Sequence, residues 1–380
     1  MSSLLFEKKY VDINSIGARL TAIMVTLSAT AYLINMPLIL ALAAKDLGLT
    51  QTTPLWLGGV FLGGVALAMT LSTLFILLVS WRSLIFISGM MGLMSFALPI
   101  FVSGFTFLLI CQGLAGIFVG TSCAAAVTCL GASLNPIRSY ALVLSLQAGV
   151  VALAAYLLPP SIAETISFND ALIAASCICL VSVILSRMMP VGLKKERINF
   201  FVDDEKKAPV LFALLAVLLI FFGGNVVRGT IEPIAYGAGP HMIFLALASS
   251  LGALIAALMD IRPSYAKPAI IALGLAIVIL VIGLSGNLPQ PLMFVAFCFV
   301  GGAWNFSAAY AMGLTAKLDC SHQYAPLIVT MQIIGNVAGL TIIGLLDVGK
   351  PYIATCFAWA LAIIVIIFLL ARPKSSELCK

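Results

Sequence analysis

The chain has 380 residues, of which 62% are hydrophobic and 9% charged, with a mean hydropathy of +1.18 and a formal charge of +6. Soluble domains carry about 25% charged residues, so this composition excludes a water-exposed globule, a disordered chain, a nucleic-acid-binding domain and a disulfide-stapled secreted module. Where the charges fall then says more than their sum.

A membrane-spanning helix needs about 20 mostly apolar residues. Twelve such runs follow one another: 16–44, 54–79, 83–102, 105–134, 138–159, 168–189, 209–236, 241–260, 266–286, 290–316, 325–347 and 350–371. Alternating segments of about ten residues, the mark of an outer-membrane barrel, do not occur. The expectation is an all-α integral membrane protein with twelve transmembrane helices. Many of its 31 glycines and 17 prolines lie within the runs, where lipid-embedded helices tolerate them. The first run follows Lys8 and Lys9 and ends near Ala41-Leu42-Ala43, a cleavage-like site. It is longer than the 7–15 residues typical of a signal core, and it contains Asn35 and Pro37, so a retained first span is expected.

Orientation follows from lysine and arginine. With the N-terminus inside, 17 of the 20 basic residues fall on inner segments, among them Arg82, Arg138, Lys194, Arg262, Lys317 and Arg372. The outer ends hold only Lys45 and Lys350, and Arg228 lies within a run. This asymmetry places both termini in the cytoplasm and the protein in a plasma membrane or a bacterial inner membrane. The nine cysteines fall mostly within spans, where a thiol acts as a small hydrophobe. Cys177 and Cys179 are too closely spaced for a zinc knuckle, so no metal is expected.

The longest charged stretch, Lys194 to Lys207, falls between the sixth and seventh runs. It divides the chain into an N-terminal six-helix bundle (1–190), a central cytoplasmic loop (191–208) and a C-terminal six-helix bundle (209–380). An offset of 185 residues aligns Gly116 with Gly301, Ser122 with Ser307, Leu142 with Leu327 and Gln147 with Gln332. The glutamine match is the informative one, because an amide in lipid is costly. Pro37 and Pro233 form a second corresponding pair at another offset.

Twelve spans, inner termini, a central inner loop and two similar halves resemble the major facilitator superfamily. The superfamily's Asp-Arg-x-Gly-Arg type signature is reduced here to Trp81-Arg82 in the first half. In the second half it survives as Gly252, then Asp260-Ile261-Arg262, then Lys267. Asp260 and Arg262 are the candidate conformational clamp. Two departures weigh against a multidrug antiporter. Leu109 stands where exporters carry arginine before Gln112-Gly113, and Val150 follows Gly149 where they carry proline.

The resemblance implies that spans 3, 6, 9 and 12 are peripheral and that the other eight line a cavity. The interiors of those four spans hold no Asn, Gln, Asp, Glu, Lys, Arg or His. The other spans hold Asn35, Gln112, Gln147, Asn225, Asn305, Gln332 and Asn336. At 1.5 Å per residue, Gln147, Gln332 and Asn336 lie roughly 14, 12 and 18 Å from the inner surface, bracketing the midplane. Gln332 and Asn336 are four apart and share a helix face. The candidate solute-binding residues are Gln147, Gln332, Asn336, Asn305 and Asn35, with Trp304 and Tyr310 as an aromatic wall. Arg228 and Glu232, four apart near the outer edge, are the candidate coupling or gating pair.

This reading is a secondary transporter. It moves a small polar or amphipathic organic solute by alternating access, with protons as the candidate coupling ion. It acts as a monomer in the lipid bilayer, with no cofactor and no nucleic acid. The alternatives are a non-transporting membrane receptor or scaffold, and an intramembrane enzyme built on Gly120-Thr121-Ser122-Cys123. The enzyme is disfavoured because no histidine shares that depth. The chain carries no nucleotide-binding P-loop.

Overall fold

The computed structural model describes residues 12–49, 53–102, 104–157, 165–192, 204–235, 240–259, 266–284, 289–345 and 350–371. Thirteen α-helices lie among them. In order they are α1 (Ile16–Ile34), α2 (Met36–Leu47), α3 (Thr53–Phe75), α4 (Trp81–Phe101), α5 (Phe105–Gly131), α6 (Pro136–Leu157) and α7 (Phe168–Leu185). A 3-10 turn at Ser186–Met188 follows. The second series is α8 (Asp204–Ala235), α9 (Pro240–Leu258), α10 (Lys267–Leu284), α11 (Gln290–Leu318), α12 (Ala325–Leu345) and α13 (Lys350–Ala371). The first expected span is α1 and α2 together, and each later span is one helix. Ten helices are long and apolar enough to cross a membrane, and α9 and α10 add shorter apolar stretches.

Local chemistry sets the helix ends. Pro37 has no N–H to continue the ladder from α1. The chain kinks at Asn35, whose Nδ2 donates to the Ala31 carbonyl at 2.9 Å. Gly48, at φ 59°, closes α2 by returning its N–H to Ala44. Eight helices begin with proline at their first or second position: Pro37, Pro54, Pro136, Pro240, Pro268, Pro291, Pro326 and Pro351. There the missing N–H costs nothing. The start of α7 is closed by a capping box between Ser167 and Asp170.

The chain packs as two compact units. Unit 1 is Met1–Leu134 with Ser167–Phe200, and unit 2 is Asn135–Ile166 with Phe201–Lys380. These units differ from the halves drawn along the sequence, because the fifth span, α6, packs on α9 and α11 in unit 2. Ser145 and Ser250 join hydroxyls at 3.2 Å across the α6–α9 seam.

In unit 1, α5 packs on α1, α3 and α4. In unit 2, α11 packs on α6, α8, α9 and α10, while α8 holds α12 and α13. Gly64 on α3 lies against the α5 backbone from Gly113 to Ile117, and Gly116 lies against the Phe61 carbonyl. In unit 2, Gly301 on α11 lies against Ser249 on α9. Gly64 to Ser249 and Gly116 to Gly301 are both steps of 185 residues. The same offset therefore relates two helix–helix contacts as well as two sequences. Small residues at such crossings let backbones approach closely, which is how helices associate in lipid.

Candidate functional site

The polar core of unit 2 is organised by three consecutive residues of α8, Gly223-Gly224-Asn225. The Trp359 ring from α13 lies on Gly223, and its Nε1 donates to the Ile220 carbonyl at 3.1 Å. Thr355 Oγ1 donates to the Gly223 carbonyl at 3.3 Å. The Trp304 ring from α11 lies where a side chain on Gly224 would stand. Asn225 Nδ2 donates to Asn336 Oδ1 on α12 and to the Phe221 carbonyl at 3.2 Å. One turn of α8 therefore anchors three helices.

This arrangement leaves hydrogen-bonding capacity unspent. Asn225 has committed its amide hydrogens, but its Oδ1 remains an acceptor. Asn336 has given one acceptor position and keeps its Nδ2 donors. Gln332, one turn earlier on α12, is half-buried and makes no hydrogen bond among the described residues. Trp304 Nε1 is buried without a partner, and its ring meets Phe221 edge-on at 6.0 Å. A neutral amide cluster, with Asn225 buried and Gln332 and Asn336 half-buried, beside an aromatic face suits a polar, uncharged or zwitterionic molecule.

The remaining expected residues fall elsewhere. Asn305 donates to the Ser249 carbonyl at 3.3 Å and faces α9. Tyr310 is 1% exposed and packs on Phe306 at 5.0 Å. Six positions along a helix turn through about 240°, so Tyr310 and Trp304 do not form one wall. Gln147 is buried in α6, within unit 2. Asn35 is half-buried at its kink, with its amide turned back on its own helix.

Among the described residues of unit 1, Tyr32 and Gln112 make a polar contact between helix interiors. Tyr32 donates to Gln112 Oε1 at 3.2 Å, while Gln112 Nε2 is buried without a partner. The Tyr32 ring is enclosed by Phe61 and Phe96, with centroids at 4.8 and 4.7 Å. Neither Asn225 nor Tyr32 was among the expected site residues. The Gly-Gly-Asn sequence was a readable signal for the first. The second had none, because a tyrosine among apolar residues reads as packing.

Two solved structures overlap nearly the whole chain. FucP, a major facilitator superfamily transporter in its outward conformation, aligns with a TM-score of 0.73 at 12% identity, covering 94% of this chain and 99% of its own. The human organic anion transporter MFSD10 (TETRAN) aligns with a TM-score of 0.65 at 13% identity, covering 93% and 99%. The chain has the major facilitator fold. No protein-family model matches the sequence, and no curated protein matches it.

Within the major facilitator fold, the reduced signature Trp81-Arg82 has a definite structural partner. Arg82 is 8% exposed and donates Nε and Nη2 to the Met189 carbonyl at 3.1 and 3.0 Å. Trp81 receives its own anchor through Nε1 to Ile76 at 2.9 Å, and its backbone N–H donates to Val191. The pair ties the start of α4 to the segment after α7. The second signature residues, Asp260 and Arg262, lie outside the described residues. So does the Glu232 side chain, while Arg228 is half-buried on α8.

One buried carboxylate of the major facilitator fold was not singled out in the sequence. Asp319 follows α11 and is 2% exposed. It accepts from Ser321 Oγ and from the Tyr324 N–H, both at 2.7 Å. Burial pushes its pKa up to about 6, opposed by those bonds and by the N–H groups of Ala325 and His322. Cys320 beside it is disulfide-bonded, an exception to the expected structural thiols.

Proposed function

We propose that this protein is a secondary transporter of a small polar or amphipathic organic solute. The observation that carries the proposal is the partly satisfied amide cluster of Asn225, Asn336 and Gln332 beside Trp304. Amides in lipid are costly, and a purely structural set would be expected to spend its bonds within the protein. The major facilitator fold, shared with two transporters, supports the same reading. The cluster is uncharged, which favours a neutral or zwitterionic solute. Gln147 and Gln332 are the paired midplane contacts from the two sequence halves, and the six-helix bundles rock about them in alternating access. Asn305 is a further amide proposed near the solute path in unit 2, and Asn35 acts through the kink between α1 and α2. Arg228 and Glu232 are proposed as the outer gate and proton site, and Asp260 with Arg262 as the inner clamp. The protein acts as a monomer with both termini in the cytoplasm.

The test is untargeted mass spectrometry of cells and medium, comparing wild type with Gln147→Ala/Gln332→Ala at equal expression. A solute displaced by wild type and not by the variant supports the reading and identifies the cargo. A solute moved equally by both overturns the site assignment. No displaced solute, with inserted and folded protein, overturns transport under those conditions.

A further inference from the structure

A cavity of about 190 Å³ lies between α10, α11 and α13 and shares no residue with the amide cluster. Its floor is Leu280 and Val300, which are 3% and 1% exposed. Phe297 and Tyr352 form one wall, their rings stacked at 6.4 Å. Gly283 and Met293 complete the upper part. Among the described lining residues, the Tyr352 hydroxyl is the one polar side-chain group.

The cavity has a definite depth. Gly283 is the penultimate residue of α10, Met293 is in the first turn of α11, and Tyr352 is the third residue of α13. The charge pattern assigns all three ends to the outer surface. Val300 is ten residues into α11, so the cavity reaches roughly 15 Å inward. That is about half of a 30 Å hydrocarbon core, or one leaflet.

The helix surface around it is apolar. Val281, Ile282, Val295 and Ile353, the sequence neighbours of the lining, are 48–62% exposed and apolar. Water needs two to four polar partners to occupy a buried site, and the described lining residues offer one. Hydrocarbon is the remaining occupant that the membrane supplies. Tyrosine rings favour the headgroup level, so Tyr352 marks where chain gives way to headgroup.

We propose that this cavity is a binding site for one acyl chain of an outer-leaflet phospholipid. The volume admits a segment of one chain rather than a whole lipid. The chain lies under the Phe297–Tyr352 stack and bridges the two peripheral helices α10 and α13. The site rests on the protein's being embedded in a bilayer and not on what it transports.

Gly283 provides the test. A Cβ added there meets nothing within 4 Å, so Gly283→Phe can start a ring from a lining position of α10. Gly274, on the same helix and outside the lining, is equally open and gives the control Gly274→Phe. Ala296→Phe fills the cavity from α11 and guards against a folding defect peculiar to one variant. The full-length protein is reconstituted in phosphatidylcholine vesicles containing phosphatidylcholine with a photoreactive diazirine on its upper acyl chain. After irradiation, labelled peptides are mapped by mass spectrometry. Labelling at Met293, Phe297 and Tyr352 is expected at several times the yield at Phe357, which is 72% exposed. Both filling variants are expected to abolish that enrichment, with Phe357 labelling unchanged, and Gly274→Phe to keep it. Uniform labelling of wild type, or enrichment that survives both filling variants, would overturn the proposal.

Discussion

Both units pack glycine on backbone, as Gly252 on Gly302 and Gly335 on Leu218 do in unit 2, and they differ in their side-chain bonds. In unit 1, α3 and α5 meet through glycine on backbone, with Gly64 on Gly113, Gly116 on Phe61 and Gly120 on Val65. Serine and threonine hydroxyls there bond within their own helices, as Ser72 does to Ala68, Ser88 to Leu84 and Thr128 to Ala124, while Tyr32 reaches Gln112 across helices. In unit 2, side chains bond across helices. Trp359 reaches Ile220, Asn225 reaches Asn336, Asn305 reaches Ser249, and Ser307 reaches the Ala269 carbonyl at 3.2 Å. A smooth glycine seam resists sliding only through van der Waals contact. A seam with cross-helix bonds also fixes register. A shared offset of 185 residues thus does not imply shared chemistry.

The largest expected effect is at the α8 junction. Gly224→Leu puts a side chain where the Trp304 ring lies. Overpacking a core costs about 1–3 kcal/mol and more where the neighbour is rigid. Loss of monodisperse protein in detergent chromatography is expected, with partial recovery in Gly224→Leu/Trp304→Ala. Recovery of a normal profile by Gly224→Leu alone would mean that Trp304 is free to move and the junction is loose.

Arg82→Ala comes next. It removes two charge-assisted bonds to Met189, at about 1.5–3 kcal/mol for a bond of this kind. A lowered Tm is expected, only partly restored by Arg82→Lys, because an ammonium does not reproduce the planar fork. An unchanged Tm for Arg82→Ala would make the Met189 contact incidental.

Asp319 predicts a pH dependence with a definite sign. Its folded pKa, raised by burial to about 6, lies above the ordinary 3.8. The native state therefore holds the proton more tightly than the unfolded chain does. The stability this gives is complete below about pH 4 and is lost as pH rises through about 6. Tm measured between pH 4.5 and 7 should fall in wild type and fall less in Asp319→Asn. Parallel profiles would assign the pH dependence to other groups.

The smallest effect is expected at the two polar pairs, one in each unit. A double-mutant cycle on Asn225→Ala and Asn336→Ala should give a coupling of about 0.6 kcal/mol, the average for interhelical bonds in membranes. Tyr32→Phe with Gln112→Ala should give a similar value in unit 1. Coupling in unit 1 well above that in unit 2 would reverse the contrast drawn above.

Much of the fold was legible in the sequence, because a lipid-embedded helix must be long and apolar. Most predicted span ends fall within a few residues of the helix ends, and the offset of Gly116 and Gly301 reappears as packing. Asn35 and Pro37 did mark a break, but the amide there serves the break itself. The placement of α6 in unit 2 was not legible, since chain order fixes connectivity and not which neighbour a helix packs against. Asn336 and Gln332 stood out as amides at depth, whereas the partnership with Asn225 depends on Gly223 and Gly224 drawing helices together. The depth argument could not separate Trp304 from Tyr310, because it ignored their angle around α11.

The central claim is that the amide face of α12 borders a water-accessible solute pathway. Gln332→Cys, treated in sealed vesicles with a membrane-impermeant methanethiosulfonate and read by peptide mass, tests it most directly. The account predicts modification from at least one side of the membrane, while Ala362→Cys, at a fully buried position on α13, stays unmodified. Gln332→Cys that is inert from both sides, yet reactive once the protein is unfolded, would contradict the account.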